Sequence, residues 1–194
     1  CICAKINQYY YIIGDFSIMS ELRTNRIVPR DGLVSGTGIG GGIIQVKSTT
    51  KTDTFTATGN DYNDVTGLSV SITPTRSDSK ILVMCSVNVG STNDNFVNVK
   101  LLRGSTPIFI GDASGSYDRV SGMYYVGASD NNEGIVCAIP ITHMDEPGTT
   151  SATTYKIQIQ AADTGNAYVN KSHRDNETYD GRFASSITVM EVSG

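Results

Sequence analysis

The sequence predicts an all-β sandwich. Three observations predict it: one run, residues 79–90, alternates apolar side chains along its whole length; similar short runs recur from residue 43 to the end between turn clusters; and no segment sustains a 3.6-residue apolar period. In the run SKILVMCSVNVG, Ile81, Val83, Cys85, Val87 and Val89 share one face, because side chains alternate along a strand. All of these are apolar, so that face is expected to be buried and the run to be a central strand. Leu82, Met84, Ser86 and Asn88 share the other face, greasy at one end and polar at the other. A one-sided strand would be polar along that whole face. Leu82 and Met84 are therefore expected to meet something apolar, within the domain or on another subunit.

In chain order, residues 1–18 form a leader outside the pattern, with Met19 a plausible true start. YYYII at 9–13 is followed closely by Asp15 and by no small-residue cleavage site, so a signal peptide is not expected. Residues 19–42 read as a tether. They are mixed in charge, with Pro29 and Asp31-Gly32 as turn signals, and they end in the glycine-rich hinge TGIGGG. Gly36, Gly38 and Gly41 satisfy G-x-G-x-x-G, but no strand precedes the motif and no helix follows, which removes the dinucleotide reading. The head is placed at 43–194. Strands are expected at 43–48, 54–58, 66–73, 79–89, 96–103, 107–110, 119–126, 135–143, 154–161, 167–170 and 186–192. Leu68, Val70 and Ile72 form one inner row. Tyr155, Ile157, Ile159 and Ala161 form a second, and Ile135, Cys137, Ile139 and Ile141 a third. The longest irregular stretch is 171–183, KSHRDNETYDGRF, and long loops on rigid sandwiches often bind.

Composition narrows the partners. The net charge of −4 disfavours a nucleic-acid backbone or an anionic membrane, and no apolar run approaches the roughly 20 residues that span a bilayer. Cys85 and Cys137 are read as free, buried small hydrophobes, with a disulfide as the alternative if their strands face each other. Cys1-x-Cys3 lacks the second ligand pair of a zinc site.

Candidate chemistry is sparse. Ser114 in GDASG lacks the strand–Ser–helix setting of a nucleophile elbow, and of the two histidines His143 is read as a satisfied, half-buried side chain at a strand end. Asp145 and Glu146 are adjacent, so they point to opposite sides if extended. A glycan-cleaving pair would instead need carboxylates roughly 5–9.5 Å apart across a cleft. His173, Asp175, Glu177 and Asp180 in the long loop suit a metal or sugar hydroxyls, but without EF-hand spacing a solvated or receptor-contacting loop is preferred. Tyr117, Arg119, Met123, Tyr124 and Tyr125 form the most adhesive-looking segment, since Tyr and Arg bury large areas and keep a polar end. The competing reading puts Tyr125 in the core. The sequons at Asn170 and Asn176 are read as inert.

The motifs SELRTNRIVPRDGL, GGGIIQVKSTTKTDTFTAT, GLSVSITPTRSDSKILVM, LLRGSTPIFIGDASGS, EPGTTSATTYKIQ, AYVNKS and SSITVMEV together resemble the C-terminal tail-fibre-like proteins of marine bacteriophages, particularly cyanophages. The resemblance runs from Met19 to Gly194; the leader, residues 88–95 and residues 117–133 fall outside it. It implies a jelly-roll, C1q/TNF-like head at a fibre tip, assembled as a homotrimer in the virion and attaching to a host-cell surface glycan or protein. Residues 20–42 would join other tail proteins. On this reading the receptor contacts are Tyr117, Arg119, Tyr124, His173, Arg174, Asp175 and Tyr179, and the trimer contacts are Leu82 and Met84. No catalytic residue, metal or cofactor is assigned, and neither nucleic acid nor membrane insertion is expected. A structural virion decoration and a capsule depolymerase are the alternatives.

Overall fold

Period-two alternation of burial is clearest along residues 80–91, 153–161 and 185–192. The computed structural model describes residues 42–92, 94–127, 133–162 and 164–194; the leader and all of the tether but Gly42 lie outside them. Among the described residues eleven strands follow one another: β1 (Ile43–Lys51), β2 (Phe55–Thr58), β3 (Asn63–Ile72), β4 (Lys80–Ser91), β5 (Asn95–Arg103), β6 (Thr106–Ile108), β7 (Gly122–Val126), β8 (Cys137–Asp145), β9 (Thr153–Ala161), β10 (Asn166–Val169) and β11 (Ser185–Val192). There is no α-helix among the described residues.

The strands form two antiparallel sheets. The six-stranded sheet is ordered β1-β11-β4-β10-β2, with β8 on the other side of β4. The five-stranded sheet is ordered β3-β9-β5-β6, with β7 also on β5. β4 is central: β11 pairs its first part and β10 its last, while β8 pairs with Ile81 through Val89 along its opposite edge. The chain changes sheet at the β2–β3, β3–β4, β4–β5, β7–β8, β8–β9 and β9–β10 connections.

The core lies between the sheets. Ile81, Val83, Cys85, Val87 and Val89 meet Val97, Val99, Leu101, Ile157 and Ile159 in a single apolar cluster, which also holds Leu68, Val70, Ile72, Tyr155 and Ala161. β3 starts three residues earlier than expected because a bulge between Asp64 and Ser69 resets its alternation, so that Val65 and Leu68 both point inward. Gly67 sits in that bulge at φ +82°, a conformation that glycine adopts without a steric penalty. The third expected inner row is shorter than predicted. Ile135 precedes β8 and Cys137 is only half-buried, leaving Ile139 and Ile141 inside.

Both described cysteines are free. Cys85 lies opposite Ile141 and Cys137 opposite Val89, so the register does not set them across from one another. Burial pushes the Cys85 thiol up to about 12.

Two polar clusters close the end where Gly42 enters. Asp145 is buried and accepts from Arg103 Nη1 at 2.9 and 3.0 Å and from the Tyr155 hydroxyl at 2.6 Å. Glu191 is fully buried and accepts from Gln45 Nε2 at 2.7 Å and from the Thr75 amide and hydroxyl at 2.7 and 2.8 Å. Burial pushes the Glu191 carboxyl up, but the donors from Gln45 and Thr75 hold the group down at about 2.

Candidate functional site

Strand register assigns each loop to an end. Ile43 pairs with Val192, Lys80 with Val192, Ile81 with Asp145, Ile72 with Thr153 and Arg103 with Tyr155. The turns 73–79, 104–105 and 146–152 therefore gather at the Gly42 end. At the opposite end lie 52–54, 59–62, 92, 94, 127, 133–136, 162, 164–165 and 170–184. Of the predicted contact segments, the described parts of 91–95 and 129–134, and 171–183, share this far end. Residues 117–121 run along the edge of the five-stranded sheet, and β7 then climbs to the far end, where Val126 pairs with Asn95.

The long loop is tied down from within. Asn170 begins it, fully buried and at φ 64°. Its Nδ2 donates to the Lys51 and Asp53 carbonyls at 2.8 and 2.9 Å, and its Oδ1 accepts from Ser185 Oγ at 2.7 Å. The loop backbone then crosses β4 so closely that a Cβ on Gly90 would sit 2.7 Å from the Lys171 carbonyl oxygen. Asp175 is held by Lys171 at 3.0 Å and Arg182 at 2.5 Å. Asp180 is held by Arg174, by Ser172 Oγ at 2.9 Å and by the Asn176 amide at 2.8 Å. The Arg174 guanidinium beside it keeps the Asp180 carboxyl well below the usual carboxylate range. His173 stacks on Tyr168 at 5.6 Å, and its Nδ1 shares a 2.9 Å hydrogen bond with the Tyr168 hydroxyl.

So His173, Arg174 and Asp175, expected to face a receptor, are largely spent on building the loop. Asp175 and Asp180 are already paired with cations, and among the described residues no cluster of three potential ligands could hold a metal. Tyr179 is the most outward of the predicted loop contacts; it is 76% exposed. Tyr117, at 82%, stands equally free, whereas Arg119 is partly committed through Nε to the Gly111 carbonyl at 2.6 Å. Tyr124 is a correction: it turns inward and packs against the core, because β7 is phased so that Tyr125, not Tyr124, lies outside.

Sequence reasoning missed a cluster on the outer face of the five-stranded sheet. Phe96 and Tyr125 are direct cross-strand partners with ring centroids 4.6 Å apart, and Tyr125 donates to Asp94 Oδ1 at 2.6 Å. One pleat further along β5, Asn98 Nδ2 donates to Gln160 Oε1 and Asp118 Oδ2, both at 3.2 Å. Asp118 also accepts from the Tyr62 hydroxyl at 2.5 Å and Lys100 at 3.0 Å, and Lys100 lies 3.6 Å over the Tyr62 ring. Burial pushes the Asp118 carboxyl up, but Tyr62, Lys100 and Asn98 together bring it below its ordinary value. The sequence signal was the outward row Lys156, Gln158, Gln160 beside the run NFVNVK; nothing in the chain says that these become neighbours.

Leu82 and Met84 lie on the outer face of the six-stranded sheet. Register sets Met144, Leu82, Met190 and Val46 side by side across β8, β4, β11 and β1. Met84 is 42% exposed in the next row. The candidate carboxylates of a hydrolase separate as expected: Asp145 points in to Arg103 and Tyr155, and Glu146 points out to Lys80. His143 packs at a tilt against Phe109, with ring centroids 5.1 Å apart, and Ser114 lies in a turn closed by the Tyr117 amide. A cavity of about 380 Å³ opens beside Arg103, Pro147 and Thr154, at the Gly42 end. No family model matches the chain, and no curated protein matches it.

Proposed function

We propose that residues 43–194 are the adhesive head of a bacteriophage tail-fibre tip, a jelly-roll of the C1q/TNF-like kind that binds a host-cell surface glycan as a homotrimer and catalyses no reaction. The observation that carries this reading is the segregation of the two ends: Gly42, where the tether joins, lies at one end of the sandwich, and the long tyrosine-bearing loop lies at the other. An adhesin needs that polarity, with one end on the virion and the other free to meet the cell. The apolar row Met144, Leu82, Met190 and Val46, with Met84 beside it, supports self-association, because obligate interfaces resemble a core cut in half. Residues 20–42 would join other tail proteins, so the protein would reside in the virion.

Adsorption of the purified chain to a panel of candidate host cells tests the reading. The trimer is expected to bind a narrow set of cells, and Tyr117→Ala with Tyr179→Ala is expected to reduce that binding while the melting temperature stays within a few degrees. Adsorption to no cell, with labelling of the virion alone, would replace this reading with a structural decoration.

A further inference from the structure

The outer face of the five-stranded sheet combines an aromatic platform with an ordered polar row. We propose that it is a subsite for a neutral, polyhydroxylated ring, a sugar residue without carboxylate, phosphate or sulfate; this rests on the adhesion reading and names what the head would hold. The platform is the Phe96–Tyr125 pair, 40% and 44% exposed, with Met123 beside it at 55%. A pyranose presents a face of C–H groups that stacks on such rings, while its hydroxyls project from the rim towards donors and acceptors. Those stand one and two pleats along β5, at Asn98 and then Lys100, roughly 7 Å apart from row to row.

The polar row is oriented before any ligand arrives. Gln160 Nε2 donates to the Asn60 carbonyl, which turns Gln160 Oε1 towards Asn98. Both contacts of Asn98 Nδ2 are acceptors, Gln160 Oε1 and Asp118 Oδ2, so the amide cannot be reversed without setting oxygen against oxygen. Asn98 Oδ1 is thereby left with no hydrogen-bond donor, although Asn98 is 95% buried, at 5% exposure. Buried polar atoms are rarely left so. A hydroxyl is the donor a sugar brings, and the cross-strand neighbour Met123 is a flexible, unbranched side chain that can move aside for it.

Charge decides the class of ring. Lys100 is paired with Asp118 and Lys156 with Asp64, at 3.0 and 2.5 Å, so the face carries fixed charges but little net charge. Among the described residues an anionic sugar would find no unpaired lysine on this face, and it would meet Asp94, Asp118 and Asp64. A neutral ring loses nothing by that arrangement.

The test uses the full chain on an array of neutral hexose and N-acetylhexosamine oligosaccharides beside their uronate, sialylated and sulfated counterparts. Neutral glycans are expected to bind and the acidic counterparts to bind at least tenfold more weakly. Tyr125→Ala is expected to weaken neutral binding at least tenfold with an unchanged melting temperature, and Asn98→Leu to weaken it while leaving the aromatic pair in place. Preference for acidic glycans, or neutral binding that survives Tyr125→Ala, would overturn the subsite. Adsorption to cells with no glycan bound would overturn it too but leave the adhesion reading standing. Failure to adsorb to any cell would remove both.

Discussion

Asn170→Ala should cost the head more than any other single loop substitution, and the structure says why. Asn170 is fully buried and makes three side-chain hydrogen bonds: to the Lys51 and Asp53 carbonyls, and from Ser185 Oγ. Alanine removes all of them at once. The Asp53 carbonyl sits on an exposed residue and can turn to water, but the Lys51 carbonyl and the Ser185 hydroxyl are left inside. Each such stranded group costs about 1–3 kcal/mol. Alanine must also hold φ near 64°, a left-handed conformation worth about 1 kcal/mol or more against it, which asparagine tolerates better. The expected loss is about 4 kcal/mol. For a domain of this size that is a fall of about 8–16 °C in melting temperature. The assay is calorimetry at fixed protein concentration, so that assembly does not move the midpoint. Asn170→Gly separates the terms, since it restores the backbone preference but not the hydrogen bonds, and should recover only about 1 kcal/mol. A shift under 3 °C for Asn170→Ala would refute the argument that this residue anchors the loop.

Other expectations follow from the same geometry. Met84→Asp leaves a charge on an exposed part of the protomer but would bury it in the proposed assembly; sedimentation should show about three chains for the wild type and single folded chains for the variant. Asp145→Asn removes the charge facing Arg103 and should lower stability by about 3 kcal/mol in urea unfolding, because a half-buried guanidinium loses its partner. Glu191 titrates near 2 when folded and near 4.5 when unfolded, so its contribution is fully present above about 4.5 and is lost as the pH falls through about 2. The urea midpoint should therefore fall between pH 5 and pH 2.5, and Glu191→Gln should flatten that slope while lowering stability at neutral pH.

The clearest strands, β4, β9 and β11, were legible because each carries its own alternation. Residues 79–90 announce one buried face, and β4 buries it at the centre of the larger sheet. β7 was harder. In the run MYYV, two adjacent tyrosines fit either phase, and only pairing to β5 shows that Tyr124 goes in and Tyr125 out. It also starts at Gly122, not at 119, because Arg119 is spent on holding its own loop to Gly111. The long loop is legible in its length and composition, but its internal pairing is not. His173, Arg174 and Asp175 look like contact residues in one dimension, and their partners Tyr168, Asp180, Lys171 and Arg182 are equally nearby in sequence; which pairs form depends on the path of the backbone. The polar row on the smaller sheet was invisible for another reason. Asn98, Asp118 and Gln160 come from three separate segments, and no periodicity within any one of them encodes the meeting.

The internal pairing of the long loop also bears on how the head would bind. A loop that neutralises its own charges has little left with which to attract an ionic partner, so affinity must come from tyrosine surface and hydrogen bonds. Such contacts are individually modest, and they count for more when the groups are already in place, because ordering a mobile side chain costs about 0.5–1.5 kcal/mol. Asn170, Asp175 and Asp180 do that ordering before a ligand arrives. The same holds on the sheet face, where Gln160 orients Asn98 and where Tyr62 and Lys100 fix Asp118. A rigid head with weak neutral subsites gains most from being present in several copies, since a second contact on a linked copy is made at high effective concentration without any new interaction. Assembly through the Leu82–Met84 face would thus be a condition of tight adsorption, and Met84→Asp should weaken binding to cells much more than binding to a single soluble oligosaccharide.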